Sequence, residues 1–140
     1  MINALIGKLQ GDGSVAFIYC HERGDMPNLG QVLLQDYNTP DNVDTLLQQG
    51  HCKFPGNLDT AKWNVMGQIY CAGNKEEAEN KQEFLARGEE EVQALYLYNK
   101  DRWQYVNMLS TTPRLTSVRA NPGEALNRNK SKRPFYTRVW

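Results

Sequence analysis

The 140-residue chain is poor in most of what specialised chemistry would need: two histidines, three cysteines, and no glycine-rich loop of the GxxxxGK[ST] or GxGxxG type. Without such a loop, ordinary P-loop and dinucleotide chemistry is excluded. No apolar run approaches the ~18–20 residues of a membrane span. The first twenty residues also lack the basic start, long apolar centre and small-residue cleavage site of a secretion signal, so the sequence predicts a cytoplasmic protein that does not enter membranes. Cys20, Cys52 and Cys71 are odd in number and widely spaced, which predicts reduced thiols. No staple is required, because a single domain of this size buries roughly 65–70% of its unfolded surface.

Excess charge of one sign is also missing, since 16 Lys and Arg balance 16 Asp and Glu. The balance hides a split. Residues 110–140 hold Arg114, Arg119, Arg128, Lys130, Lys132, Arg133 and Arg138 against the single acid Glu124, or +6, which leaves −6 for residues 1–109. Much of that acid lies in Glu76, Glu77, Glu79, Glu83, Glu89, Glu90 and Glu91. An acidic body with a basic tail predicts self-association into a homo-oligomer, a tail folded on its own body, or a tail that reaches a polyanion. With three prolines and scattered charge, residues 110–140 read as an extended basic arm on a single domain of residues 1–109.

What is present reads as an α+β fold. Residues 2–9 and 14–20 flank "QGDGS", and Asp12-Gly13 predicts a type I′ hairpin turn. In the second strand both faces, Val15, Phe17, Tyr19 and Ala16, Ile18, Cys20, are apolar enough to be covered. Leu29, Val32, Leu33 and Tyr37 have the spacing of one buried helical stripe. A second helix follows, with Thr39 as N-cap, Pro40 at N1, Val43, Leu46 and Leu47 as its stripe, and Gly50 as its stop. "QIYCAG" reads as a short strand, and "NKEEAENKQEFLARG" as a surface helix or lid stopped by Gly88. Residues 92–99 and 102–108 form a second hairpin around Lys100-Asp101, with Tyr98 opposite Trp103, Tyr96 opposite Tyr105 and Leu95 opposite Val106. The expected architecture is an antiparallel sheet from two hairpins, two or three helices packed on one face, and the arm.

Four constellations bear on chemistry. Cys20-His21 and His51-Cys52 are the only Cys/His clusters; their spacing departs from that of zinc sites, so no metal is expected. Cys20 with His51 is the one thiol–imidazole dyad to test, and an enzyme would use Cys20, His21, Glu22 and His51. "HERGD" sets His21, Glu22, Arg23 and Asp25 in a loop after a strand, where they could hold a cation or a phosphate, or where Asp25 and Asn28 simply cap the next helix. Tyr96, Tyr98, Trp103 and Tyr105 make an aromatic face that could stack bases beside the basic arm, or pack on a helix. The acidic body repels nucleic acid, but a small nucleotide between these rings and an Arg side chain remains compatible with it.

The stretch "GDGSVAFIYCHERGDMPNLGQVLLQDYNTPDNVDTLLQQG" resembles a family of small proteins of phages and mobile elements with the pattern "DGTVxxIYCHWDGYPxGVGxxLLxxYNTPEKVxxLLxxG". Asp12, Gly13, Val15, Ile18, Tyr19, Cys20, His21, Gly24, Pro27, Gly30, Leu33, Leu34, Tyr37, Asn38, Val43, Leu46, Leu47 and Gly50 match it. The hairpin "YLYNKDRWQYV" is similar to the aromatic hairpin that ends such proteins. Two departures matter: Glu22-Arg23 stands where the pattern has Trp-Asp, and one residue is inserted before Pro27. An acid used by relatives at that point is therefore lost or moved to Asp25. The resemblance implies a phage origin and a small α+β fold. Together with the charge split it leads to one expectation: a non-catalytic accessory protein, without cofactor, acting in the cytoplasm of the host cell. It would bind and inhibit a host protein, of a defence or nucleic-acid-processing system, through His21, Glu22, Arg23, Asp25, the four rings and the cations of the arm. Sequestration of a small nucleotide signal is the alternative, and a Cys/His enzyme the third class.

Overall fold

A computed structural model describes residues 2–55, 74–110 and 116–118. The first hairpin joins β1 (Ala4–Leu9) to β2 (Val15–Cys20), with Ala4 opposite Cys20 and Leu9 opposite Val15. Its turn is not type I′, because only Gly13 has a positive φ (94°). The Gly13 amide donates to Gln10 O at 3.0 Å and the Gln10 amide to Ser14 O at 2.8 Å, the three-residue loop with a left-handed glycine at its end. Asp12 chooses this form, since its carboxylate accepts from both the amide and the hydroxyl of Ser14.

The stripe that begins at Leu29 is helical as expected, entered through a π-helical turn (Met26–Gly30) and continued as α1 (Gln31–Asp36). Then α2 (Pro40–Gln48) starts where its cap predicts: Thr39 Oγ1 accepts the Asn42 amide at 3.2 Å. It ends before Gly50, whose φ of 82° suits glycine. Leu29, Leu33, Tyr37, Val43, Leu46 and Leu47 from these helices are buried against Ala4, Ile6, Ile18, Tyr96 and Trp103 of the sheet.

After β3 (Glu76–Ala78) comes α3 (Lys81–Glu91), capped by the Asn80 side chain, and then the second hairpin, β4 (Ala94–Asn99) and β5 (Arg102–Asn107). The hairpin register is the one the sequence predicts. With β6 (Thr116–Ser117) the strands form one sheet in the order β3-β2-β1-β4-β5-β6. The fold is α+β, but two expectations are corrected. The sheet is mixed, because β1 and β4 pair in parallel at its centre, Ala4 beside Ala94. Since β3 and β4 run the same way, the chain must cross over a face between them, and α3 is that crossover. The helices therefore lie on both faces: α3 buries Phe84 against Phe17, Leu5, Leu95 and Leu97, opposite to α1 and α2. Apolar residues on both faces of β2 and β4 are what central strands covered on two sides require.

Neither a lid nor a Gly88 stop describes α3, which runs through Gly88 to Glu91 and sits directly on the sheet. A Cβ on Gly7 would stand 2.6 Å from Phe84 Cζ, and one on Gly88 2.5 Å from Leu95 Cδ1. Thr116–Val118 belong to the sheet side of the boundary drawn at residue 110: β6 pairs with β5, and Val118 is buried beside α1 and α2. The short strand expected at "QIYCAG" and the rest of the arm lie outside the described residues. Among the described residues, no helix is long and apolar enough to cross a membrane.

Candidate functional site

Strand alternation sorts the Cys/His clusters by face. Cys20 and Cys52 meet across a single parallel bridge and are buried with the α1–α2 core. Cys52 is pushed up above the ordinary thiol range, first by its hydrogen bond with Cys20 and then by burial. His21 and His51 lie on the other side, where they line a cleft of about 420 Å³ with Leu5, Phe17, Tyr19, Glu76 and Glu91. The Cys20–His51 dyad is thus divided by the sheet, and among the described residues no three His, Cys, Asp or Glu side chains converge as a metal site would need.

His51 occupies the join between two neighbours of β2. Residues Val15–Phe17 pair with β3, while the end of β2 pairs with residues 52 and 53: Cys52 N donates to Tyr19 O at 2.8 Å, and His21 N to Cys52 O at 3.0 Å. The Tyr19 amide falls between these ladders and donates instead to His51 Nδ1 at 2.9 Å. A ring nitrogen that accepts an amide hydrogen carries no proton of its own, so the hydrogen sits on Nε2 and is donated to Glu76 Oε2 at 2.8 Å. Both nitrogens are engaged, which leaves this tautomer no lone pair for use as a base. Glu76 also accepts from Arg87 Nη2 at 3.1 Å, and Arg87 Nε reaches Glu91 Oε2 at 3.1 Å, with the guanidinium 5.0 Å over the Phe17 ring. Arg87, and secondarily His51, hold the Glu76 carboxyl below its usual range. The His21 ring meets Tyr19 edge-on at 4.6 Å, and Tyr19 Oη accepts from Asn3 Nδ2 at 2.9 Å. With two carboxylates against one guanidinium, this cleft favours a cationic group over an anion.

The aromatic face is core, not a stacking platform. Tyr96, Tyr98 and Trp103 are buried under α1 and α2, and Tyr105 is half-buried beside them. Their polar tips serve irregular backbone: Tyr96 Oη donates to Gly24 O at 2.7 Å, Tyr98 Oη to Asn38 O at 3.2 Å, and Trp103 Nε1 to Tyr37 O at 2.7 Å. Burial raises Tyr98 to about 12 and pushes Tyr96 well up. These rings do not form the aromatic wall of a nucleotide pocket.

The "HERGD" loop is spread out rather than convergent. His21 faces the cleft, the Glu22 amide donates to Lys53 O, and the Arg23 guanidinium lies 4.5 Å over the Phe54 ring. Asp25 accepts from the Asn28 side chain at 2.9 and 3.1 Å, and makes no side-chain cap to a backbone amide. Arg23 holds a φ of 57° in this bend. Arg114, Arg119, Arg128, Lys130, Lys132 and Arg133 lie outside the described residues. Glu76, Arg87 and Glu91 were not singled out from the sequence as a site, because in a run of alternating charge only the crossover marks which glutamate meets His51. Compared with protein-family models, curated proteins and solved structures, the chain matches none.

Proposed function

We propose that this chain is a non-catalytic accessory protein of phage origin that captures a host protein, of a defence or nucleic-acid-processing system, and blocks it. The observation that carries this reading is the segregation of charge. Glu76, Glu77, Glu79, Glu83, Glu89, Glu90 and Glu91 are all exposed, on β3, α3 and the turn between them, while residues 110–140 carry +6. Opposed charges on one chain steer a partner and fix its orientation more than they stabilise the fold. The groups that would favour an enzyme are committed to architecture: two buried thiols, and an imidazole with both nitrogens bonded. The phage origin rests on the resemblance of residues 11–50 and of the second hairpin.

The test is capture from a bacterial lysate by the full tagged chain, followed by assay of the retained protein's own activity with purified chain added. One stoichiometric partner, inhibited on addition, supports the proposal. Because Thr116–Val118 are part of the sheet, the arm is tested by neutralisation, with Arg119, Arg128, Lys130, Lys132 and Arg133 changed to Gln. Capture that survives this change, or a partner whose activity is untouched, counts against it.

A further inference from the structure

Cys20 and Cys52 stand directly opposite each other, where residues 52 and 53 join the end of β2. Opposed residues of neighbouring strands point to the same face, and both side chains are fully buried in the α1–α2 core. Such strands run about 4.7–4.9 Å apart. That lies within the span of about 4.4–6.8 Å between Cα atoms that a disulfide bridges. The thiols are also in contact. The Cys20 thiol has two backbone acceptors, Glu22 O at 3.4 Å and Lys53 O at 3.6 Å. With its one hydrogen spent there, Cys20 can only accept from Cys52, so the Cys52 thiol donates to it and is kept protonated.

The join around this pair is slight. Past Phe17 this edge of β2 leaves β3 and is held, among the described residues, by three backbone bonds: Cys52 N to Tyr19 O, His21 N to Cys52 O and Glu22 N to Lys53 O. The Tyr19 amide on His51 Nδ1 is the fourth tie. A single bridge without a flanking ladder opens locally more readily than the strands beside it. Opening matters here because the closed fold shields both sulfurs from solvent, and only an ionised, reachable thiol attacks an oxidant.

We propose that Cys20 and Cys52 form a redox-sensitive lock, in which a hydroperoxide joins them as a disulfide that pins residues 51–53 to the end of β2. One sulfur, ionised while the join is open, attacks a peroxide oxygen and becomes a sulfenic acid, as the O–O bond breaks and an alcohol or water leaves. The other sulfur displaces the new hydroxyl, which departs as water with the second thiol's proton. The two sulfurs lose two electrons and the peroxide takes them up. The link closes a loop through both α1 and α2, and it keeps His51 beside Tyr19 and Glu76 by removing the opening that would release it. It asks nothing of a partner, so it stands or falls apart from the capture reading.

The test treats the folded full chain with a small excess of hydrogen peroxide, alkylates the remaining thiols and digests with trypsin without reduction. The three cysteines fall on separate peptides, residues 9–23, 24–53 and 63–75, so the pairing is read directly. Peptide 9–23 is recovered joined to 24–53, and dithiothreitol separates them. The linked chain melts about 5–10 °C higher, and hydrogen exchange at the Tyr19, His21, Glu22 and Cys52 amides slows about tenfold or more. Cys52→Ala, treated alike, gains neither. Thiols left free or carried on to sulfinic acid, a link through Cys71, a link that forms only in urea, or a link that leaves those four amides exchanging as before would each overturn the proposal.

Discussion

Tyr96→Phe separates a core role for the aromatic hairpin from a binding role. The substitution removes one oxygen and leaves the ring in place, so apolar burial and the 5.1 Å contact with Tyr105 are preserved. What is lost is the 2.7 Å bond to Gly24 O. Gly24 has no room to turn that carbonyl elsewhere: its amide is tied to Ile2 O at 2.8 Å, and a Cβ there would stand 2.8 Å from the Ala4 Cβ. The carbonyl is therefore stranded in a buried site, at a cost of about 1–3 kcal/mol. Against a total stability of about 5–15 kcal/mol for a domain, that is a large fraction. In a thermal melt it corresponds to a fall of roughly 4 °C for each kcal/mol. Tyr105→Phe is the control: its ring is half-buried and its hydroxyl makes no hydrogen bond among the described residues, so its effect stays within about 0.5 kcal/mol. The reasoning is refuted if Tyr96→Phe matches this control in urea denaturation while partner capture falls.

Gly7→Ala forces a methyl to 2.6 Å from Phe84 Cζ and 2.8 Å from Val15 Cγ1, both held in the core. Overpacking of about 1–3 kcal/mol outweighs the ~0.5–1 kcal/mol that alanine recovers in backbone entropy. In a Phe84→Leu background the loss should shrink, and an equal loss in both backgrounds, read from denaturation midpoints, would remove the contact from the explanation. Glu76→Gln tests the network around His51. Because Arg87, and secondarily His51, hold the folded-state carboxyl below its ordinary value of 4.5, its contribution is present above that value and is lost as the pH falls through the lower folded one. Stability measured from about pH 6 down to about pH 3 should fall less steeply in the variant than in the native chain; parallel curves would contradict the assignment.

Local rules made much of the fold legible. The cap at Thr39, the stop at Gly50, the helical stripe from Leu29 and the register of the second hairpin each depend on residues a few positions apart. The centre of the sheet was not legible, because the parallel pairing of β1 with β4 is fixed by the route of the chain between them. That route turns on α3, whose buried face amounts to little more than Phe84, Leu85 and Gly88, with Gly7 of β1 allowing the close approach. Turn chemistry misled at the first hairpin only, where a side chain overrode the preference of the dipeptide; the second has the two-residue loop and register expected of it. Asp12 bonds Ser14 and draws its loop into the three-residue form, while the cross-strand pairs of β4 and β5 hold Lys100-Asp101 in a turn neither residue favours. For the candidate sites, alternation on β2 separates Cys20 from His21, but it says nothing of His51, which only the structure sets on the other side of the sheet. The partner of His51 is visible only once residues 51 and 76 stand side by side along one edge of β2.

Residues 11–50 and the second hairpin turn out to be one physical unit. Three carbonyls in the first, those of Gly24, Tyr37 and Asn38, lie where the backbone bends and no ladder can take them. Three aromatic tips in the second, Tyr96, Tyr98 and Trp103, supply the missing donors. Aromatic residues with polar tips suit this task, because the ring fills the core while the tip satisfies a bend. A sequence that keeps the bends must then keep the rings, with no ligand needed to explain either. The surfaces left to meet a partner lie outside that unit, in the exposed glutamates from Glu76 to Glu91 and the cations beyond residue 110.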